Sequence, residues 1–240
     1  MHPIPRWADV ILIPLISVLL AAICAGLLLV AINEDPFDAM KLMIDGTLFR
    51  SEGIGFMLYY TTNFVFTGLA VSIAFHAALF NIGGEGQAQL GGLGVALAML
   101  FIPWPHWTLA IIGASLGAMA FGAVWAAIPA YLQAKRGSHI VITTIMFNFI
   151  AAAFLNYLLV NILKPVGSMD PATPSFPQAT HLPTFRDMAE ALGFDRMFGA
   201  SPANVTTFLA VIAAVAVWVL IWRTRLGYEI RSFGKSPTAA

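Results

Sequence analysis

The chain has 240 residues, of which 59% are hydrophobic and only 10% are charged. A soluble domain usually carries about 25% charged residues, so a chain of this composition could not bury its apolar surface beneath a polar skin, and much of it must face lipid. The net charge is zero, with 12 basic and 12 acidic residues, which argues against a nucleic-acid partner because a phosphate backbone calls for a clustered basic excess.

Six apolar stretches follow one another along the chain. A spanning helix needs about 20 such residues, and backbone groups in lipid must hydrogen-bond within their own segment. The sequence therefore predicts an all-α polytopic membrane protein, with a single transmembrane domain over residues 1–240. The predicted spans are 10–32, 56–80, 86–102, 107–132, 140–163 and 205–222, of which the third is short.

The positions of lysine and arginine predict the orientation of these spans. With a cytoplasmic N-terminus, the basic clusters Lys135–Arg136 and Arg223–Arg225 fall in cytoplasmic segments close to helix ends. The positive-inside rule acts at such positions. We therefore expect the N-terminus and segment 223–240 to lie in the cytoplasm, and residues 164–204 to form an external loop.

One short helix is expected inside this external loop. Thr184 is a plausible N-cap, Asp187 follows three residues later, and Gly193 provides a stop. A hydroxyl at the N-cap and an acid three residues on can satisfy each other's backbone N–H groups. Glycine commonly ends a helix because it accepts the left-handed conformation. The pattern predicts a helix that begins after Thr184.

Residues 80–87, F-N-I-G-G-E-G-Q, are the most informative polar segment. Closely spaced glycines break the helix, and two amides and a carboxylate, Asn81, Gln87 and Glu85, surround them. A carboxylate at the bilayer centre costs about 2.5–3.5 kcal/mol, so it must be partnered or hydrated. One interpretation is a broken helix at a transport site. The other is a short cytoplasmic turn in which Glu85 is simply solvated.

The fifth and second spans also carry polar side chains. Thr144, Asn148 and Asn156 share one face of the fifth span. Such groups either line a hydrophilic path or hydrogen-bond neighbouring helices together. His76, in the second span, could relay protons, although a histidine there more often packs through a hydrogen bond.

The sequence offers no metal-protease motif and only an incomplete likeness to a nucleotide-binding loop. H-E-x-x-H does not occur. Gly234-Lys235-Ser236 imitates the end of a phosphate-binding loop, but Glu229 stands where the upstream glycine is required. We therefore expect a protein that is not an enzyme, binds no ATP and needs no cofactor or metal.

Three segments carry a family resemblance. Residues 80–87 resemble the F-N-I-G-x-E-G-Q signature of permease subunits of bacterial ABC importers of the simple-sugar and nucleoside type, related to ribose permeases. Residues 143–148 resemble the S-T-I-M-L-N sequence of their fifth span. Residues 227–240 resemble their cytoplasmic G-x-x-x-R-A-x-G-x-N-P-x-A-A segment, with Ser232 and Ser236 in place of alanine and asparagine.

The resemblance implies a permease that moves a small polar solute across the bacterial inner membrane. It also implies a second permease subunit, identical or different, a cytoplasmic ATP-binding subunit that supplies the energy, and an external substrate-binding protein. Members of the family continue with further helices after the Ala-Ala pair, so we expect this chain to be truncated at its C-terminus.

Two groups of residues are implicated by this resemblance. Residues expected to line or shape the path are Asn81, Gly84, Glu85, Gln87, Thr144 and Asn148. Residues expected to dock the ATP-binding subunit are Gly227, Glu229, Arg231, Gly234 and Pro237. In the docking group, the glycines and the proline would shape a turn followed by a helix, and Arg231 could pair with an acidic residue of the partner.

Two other function classes stay open at the level of sequence. An ion-coupled secondary transporter would use Glu85 or His76 as its coupling group and would work without any ATP-binding subunit. In a membrane scaffold without a transport path, Glu85→Ala and Asn148→Ala would impair assembly and would leave solute flux unchanged.

Overall fold

The computed structural model describes residues 7–194 and 197–236, and the described part is built from α-helices joined by turns and by one long connection between α6 and α7. The only β-type pairing within these residues is an isolated bridge between Thr184 and Asn204. The all-α prediction is confirmed. The helices are α1 (Ile13–Ala31), α2 (Pro36–Ile44), α3 (Ser51–His76), α4 (Gly84–Phe101), α5 (Trp107–Arg136), α6 (Ile140–Asn161), α7 (Phe185–Ala191), α8 (Thr206–Arg223) and α9 (Arg225–Lys235).

Five helical segments in the described part are long and apolar enough to cross a membrane. They correspond to five of the six predicted stretches. The remaining stretch forms α4, which is helical as expected but is not among the five, because Glu85, Gln87 and Gln89 and several glycines lower its hydropathy. The five candidate spans are Val10–Ala31, Ser51–His76, Trp107–Arg136, Ile140–Asn161 and Thr206–Arg223.

The two N-terminal helices lie at the edge of the molecule. No residue of α1 is buried, and α1 contacts α2 where Gly26 approaches Pro36. Helix α2 was not predicted, although Asp35 and Pro36 form a recognisable N-cap and first-position pair. The Asp35 carboxylate accepts a hydrogen bond from the Phe37 N–H at 2.7 Å. The local start signal at Asp35 and Pro36 therefore marks this helix, which is too short to cross a membrane.

Helix α4 is the innermost helix and packs along α5 through glycines. A Cβ atom on Gly117 would lie 2.6 Å from the Gly94 carbonyl oxygen, and a Cβ atom on Gly91 would lie 3.4 Å from the Ala118 oxygen. On its other side α4 buries Leu90 and Leu93 against Ala151 of α6. Lipid provides no hydrophobic drive between helices, so small residues that let backbones approach closely stabilise the pair.

The close contact between α4 and α5 generates a stability prediction. A Cβ atom on Gly94 would collide with the Gly117 carbonyl oxygen, whereas a Cβ atom on Gly92 would meet nothing within 4 Å. We expect Gly94→Ala to destabilise the protein by about 1–3 kcal/mol through overpacking. Gly92→Ala, on the same helix, is the matched control and should be neutral. Thermal unfolding in detergent measures both, and equal midpoints would contradict the packing.

The segment predicted to form an external loop contains α7. The predicted cap is confirmed: the Thr184 hydroxyl accepts from the Asp187 N–H at 3.1 Å, and the Asp187 carboxylate accepts from the Thr184 N–H at 2.9 Å. The Phe185 N–H donates to the Ala203 carbonyl at 2.9 Å. This last bond holds α7 beside the start of α8, so the segment is anchored to the helical bundle.

The capping box predicts a pH dependence for α7. Hydrogen bonds from the backbone N–H and the hydroxyl of Thr184 hold the pKa of the Asp187 carboxyl below its ordinary value. Because this pKa is lower in the folded protein than in the unfolded chain, the ionised carboxylate stabilises the fold. The stabilisation is complete above the pKa of an unfolded aspartate, about 3.9, and is lost as the pH falls through the folded-state pKa. The protection of the α7 backbone amides from hydrogen exchange should therefore fall in acid, at a pH below the ordinary titration range of aspartate.

The same measurement has a matched control on the same helix. Asp187→Asn removes the titrating cap and should abolish this acid step. Glu190→Gln should keep the step, because Glu190 pairs with Arg186 at 2.8 Å and makes no cap contact. An acid step that survives in Asp187→Asn would show that another group controls α7.

Candidate functional site at the break before α4

The chain leaves the helical conformation between α3 and α4, over residues 77–83. Ala78 has a positive φ of 53°, and the Leu79 N–H donates to the Ala74 carbonyl at 3.0 Å. This is a left-handed C-cap built without glycine. The predicted break at 81–87 is therefore real but displaced: Glu85, Gly86 and Gln87 belong to the first turn of α4.

Asn148 of α6 binds both the end of this break and the first turn of α4. Its side-chain oxygen accepts from the Gly86 N–H at 2.9 Å, and its side-chain nitrogen donates to the Ile82 carbonyl at 2.9 Å. An amide suits this task because it carries a donor and an acceptor side by side without charge. We call these two hydrogen bonds the Asn148 clamp. The clamp satisfies backbone groups that the interrupted helix leaves without partners.

Other predicted path residues gather around Gly83. The Asn81 side-chain oxygen accepts from the Gly83 N–H at 2.9 Å. A Cβ atom on Gly83 would lie 3.1 Å from both the Thr144 Cβ and the Gln87 side-chain nitrogen. Thr144 is 1% exposed, and its hydroxyl donates to the Ile140 carbonyl at 2.8 Å within α6. Thr144 is therefore a buried side chain that packs against the backbone of the break at Gly83.

Trp125 of α5 is a site residue that the sequence did not single out. A Cβ atom on Gly86 would lie 3.0 Å from both the Trp125 indole nitrogen and the Asn148 side-chain oxygen. The indole N–H is buried and has no hydrogen-bond partner among the described residues. A tryptophan in the middle of an apolar span was the available signal, since a buried indole usually needs an acceptor.

Gly84 and Glu85 lie on the exposed side of the break. Nothing lies within 4 Å of the Cβ position of Gly84, and Glu85 is exposed, with its carboxylate 3.4 Å from the side-chain nitrogen of Gln89. A carboxylate in the first turn of a helix interacts favourably with the helix dipole. The structure thus brings Asn81, Gln87, Thr144 and Asn148 together and leaves Gly84 and Glu85 facing outward.

The depth of the break follows from its contact with α6. Asn148 lies eight residues after Ile140, the first residue of α6, which is about 12 Å along the helix axis. The clamp therefore grips the break inside the candidate span Ile140–Asn161 and not at its end.

Within the predicted docking segment, Arg225–Lys235 form one helix, α9, so Gly227 and Gly234 do not form the expected turn. The Thr224 hydroxyl caps it by accepting from the Gly227 N–H at 3.1 Å. Gly227 and Gly234 lie inside α9, and both permit close packing: Gly227 against the backbone of Ile221, and Gly234 against the backbone of His76 and Ala77. Pro237 lies outside the described residues.

Arg231 lies against its own chain. Its guanidinium carbon is 4.6 Å from the centre of the Trp222 ring, and its Nε donates to the Gly227 carbonyl at 3.3 Å. Glu229, in contrast, is on an exposed face, where it pairs with Arg225 at 3.0 Å. Arg231 therefore lies on the face of α9 that packs against the rest of the chain, which we call the inner face. Glu229 lies on the exposed face, which we call the outer face.

His76 is held by packing contacts. Its Nδ1 lies 2.7 Å from the Ser72 carbonyl oxygen within α3, and its ring stands edge-on to the Trp222 ring at 5.9 Å. These contacts favour the packing interpretation of His76 over a proton relay. No group of three or more residues able to hold a metal occurs among the described residues.

Comparisons with known proteins identify the family to which this helical bundle belongs. The family model for the permease component of branched-chain amino acid transport systems matches residues 53–240, so the chain belongs to this family. The resemblance found in residues 80–87 is thereby confirmed.

Curated relatives include ABC transporter permeases for sugars and nucleosides. The chain is 34% identical over 227 residues to the glucose ABC transporter permease protein of Haloferax volcanii, covering 95% of this chain and 59% of the relative. It is 29% identical over 233 residues to the guanosine ABC transporter permease protein of Bacillus subtilis, covering 96% and 63%. The chain thus spans about three-fifths of these relatives' length. No solved structure matches it.

The clamp predicts a transport defect for Asn148→Ala. The substitution leaves the Gly86 N–H and the Ile82 carbonyl without partners, at a cost of about 1–3 kcal/mol for each group. We expect solute uptake to fall at least about tenfold, measured in proteoliposomes. Asn156→Ala is the matched control, because Asn156 is exposed on the same helix. Normal uptake by Asn148→Ala, together with impaired assembly, would favour the scaffold alternative.

Proposed function

We propose that this chain belongs to the permease subunit of an ABC importer that carries a simple sugar or a nucleoside across the bacterial inner membrane. The observation that carries the proposal is the Asn148 clamp, which holds a broken helix inside the span of α6. The similarity to permeases named for glucose, guanosine and nucleosides supports the choice of solute class.

The chemistry of the break fits an uncharged solute rich in hydroxyl groups. Asn81, Gln87 and Asn148 are neutral amides, and the N-cap residue of α4, Gly83, makes no side-chain cap, so Asn148 binds only the Gly86 N–H of the first turn. Amides can both donate to and accept from hydroxyls and ring heteroatoms, and the other backbone N–H groups of this first turn would be open to a solute. Because Gly84 and Glu85 lie on the exposed side, a second permease subunit would complete the path there.

The docking role belongs to α9 and to the residues that follow it. With a cytoplasmic N-terminus, α9 lies on the cytoplasmic side together with the break and the C-terminal end of α3. An ATP-binding subunit would contact the outer face of α9, which carries Glu229 and Arg225. Segment 223–240, including Pro237, forms this dock. An external substrate-binding protein would meet segment 164–204 on the opposite side, where α7 is anchored.

The proposal requires that uptake depend on the ATP-binding subunit. The full permease, reconstituted with its ATP-binding subunit and binding protein, should take up radiolabelled sugar or nucleoside only when ATP is present. An ion-coupled transporter would instead take up solute when the ATP-binding subunit is omitted and a proton or sodium gradient is imposed. Uptake under those conditions would overturn the proposal.

Arg231→Glu tests the docking segment within the same assay. The change removes the guanidinium from the Trp222 ring and places a negative charge on α9. We expect ATP hydrolysis to continue while uptake is lost, with membrane insertion intact. Arg136→Glu makes the same charge reversal at the cytoplasmic end of α5, outside the docking segment, and should retain uptake. Normal uptake by Arg231→Glu would remove Arg231 from the docking assignment.

A further inference from the structure

Trp222, in the last turn of α8, contacts two other helices at once. The guanidinium carbon of Arg231, on α9, lies 4.6 Å from the centre of its ring. The ring of His76, at the end of α3, stands edge-on to it at 5.9 Å and an interplanar angle of 88°. A cation over an aromatic face and an edge-to-face ring pair are both directional contacts. Trp222 therefore fixes α9 and α3 relative to each other.

Gly234 brings the backbone of α9 against the end of α3. A Cβ atom on Gly234 would lie 3.1 Å from the Ala77 carbonyl carbon and the Ala78 nitrogen, and it would collide with the His76 carbonyl oxygen. Ala78 is the left-handed C-cap residue from which the break departs. Motion of α9 at this contact acts directly on the first residues of the break.

The faces of α9 agree with this arrangement. At about 100° per residue, Gly227, Arg231 and Gly234 fall on one side of the helix, and all three contact their own chain. Arg225 and Glu229 fall on the opposite side, where the Arg225 side chain is 92% exposed and the Glu229 side chain 52% exposed. A partner that binds the outer face leaves the inner contacts intact.

We infer that Trp222 is a positioning residue that holds α9 against the C-cap of α3, so that movement of the docking helix reaches the break through residues 76–78. The route runs from α9 through Gly234 to Ala77 and Ala78, and from there to Ile82 and the Asn148 clamp. This inference rests on the proposed docking role of α9. It adds a residue to which neither the sequence motifs nor the family resemblance assigns a role.

A matched pair of tryptophans on α8 makes the inference testable. Trp218 lies one helical turn before Trp222, and the two are 51% and 52% exposed. Trp218 also carries an arginine over its ring, Arg223, at 5.2 Å. It makes no ring contact with α3 among the described residues. Trp222→Leu and Trp218→Leu therefore remove the same kind of side chain, and only the first removes the link to α3.

The experiment uses the full permease with its ATP-binding subunit in proteoliposomes. It measures the binding of that subunit, the rate of ATP hydrolysis and the amount of solute taken up per ATP hydrolysed. We expect Trp222→Leu to lower uptake per ATP by about five- to tenfold while subunit binding and the thermal midpoint match those of Trp218→Leu. Trp222→Phe keeps an aromatic face for Arg231 and an edge contact for His76, and it should restore most of the coupling.

The possible results separate this inference from the docking proposal. Equal coupling in Trp222→Leu and Trp218→Leu would overturn the positioning role and leave docking intact. Loss of subunit binding in Trp222→Leu alone would also overturn it, because Trp222 would then act in docking itself. If the unmodified permease binds no ATP-binding subunit, the docking proposal fails and this inference falls with it.

Discussion

The structure depends on how backbone hydrogen bonds are satisfied where a membrane helix is interrupted. In lipid an unpaired N–H or carbonyl group has no water to bind, so an interruption persists only if other parts of the protein supply partners. Asn148 supplies two of them, one to Ile82 within the break and one to Gly86 in the first turn of α4. The polar side chains that a solute could meet are consequently placed around a fixed backbone and not on a flexible loop. The same amides that attract attention in the sequence thus have a structural task first.

Glycine serves the bundle in two ways. At Gly94 and Gly117 it lets α4 and α5 approach until their backbones touch, which replaces the hydrophobic drive that lipid cannot provide. At Gly227 and Gly234 it lets a surface helix lie flat against the ends of α8 and α3. In both cases the missing side chain permits contact between helices, and neither use requires a turn. Gly83 and Gly86 combine a helix break with close packing, since Thr144 and Trp125 occupy the space that a Cβ atom would need.

Apolar and polar exposed surfaces lie on different parts of the chain. Helix α1 buries none of its residues within the chain, as expected for a helix at the lipid boundary. The exposed side of the break carries Glu85, a charged residue that lipid alone would not accommodate. The outer face of α9 carries the pair Arg225 and Glu229, whose exposed ion pair is worth only about 0.3–0.5 kcal/mol to the helix. Each polar surface is explained better by a partner than by the stability of this chain.

The sequence by itself determined the membrane class, the positions of the apolar helices, the capped helix after Thr184 and the family, because length, hydropathy, capping and short motifs are local properties. Only the tertiary structure decided that Asn148 bonds to residues more than sixty positions away, that Gly227 and Gly234 lie inside a helix, and that Trp125 and Trp222 contact neighbouring helices. The physical reason is that an amide or an indole is satisfied by whichever helix packs beside it. Which helix packs beside it depends on the close approach of whole helices. This packing leaves no pattern in the residues that flank the side chain.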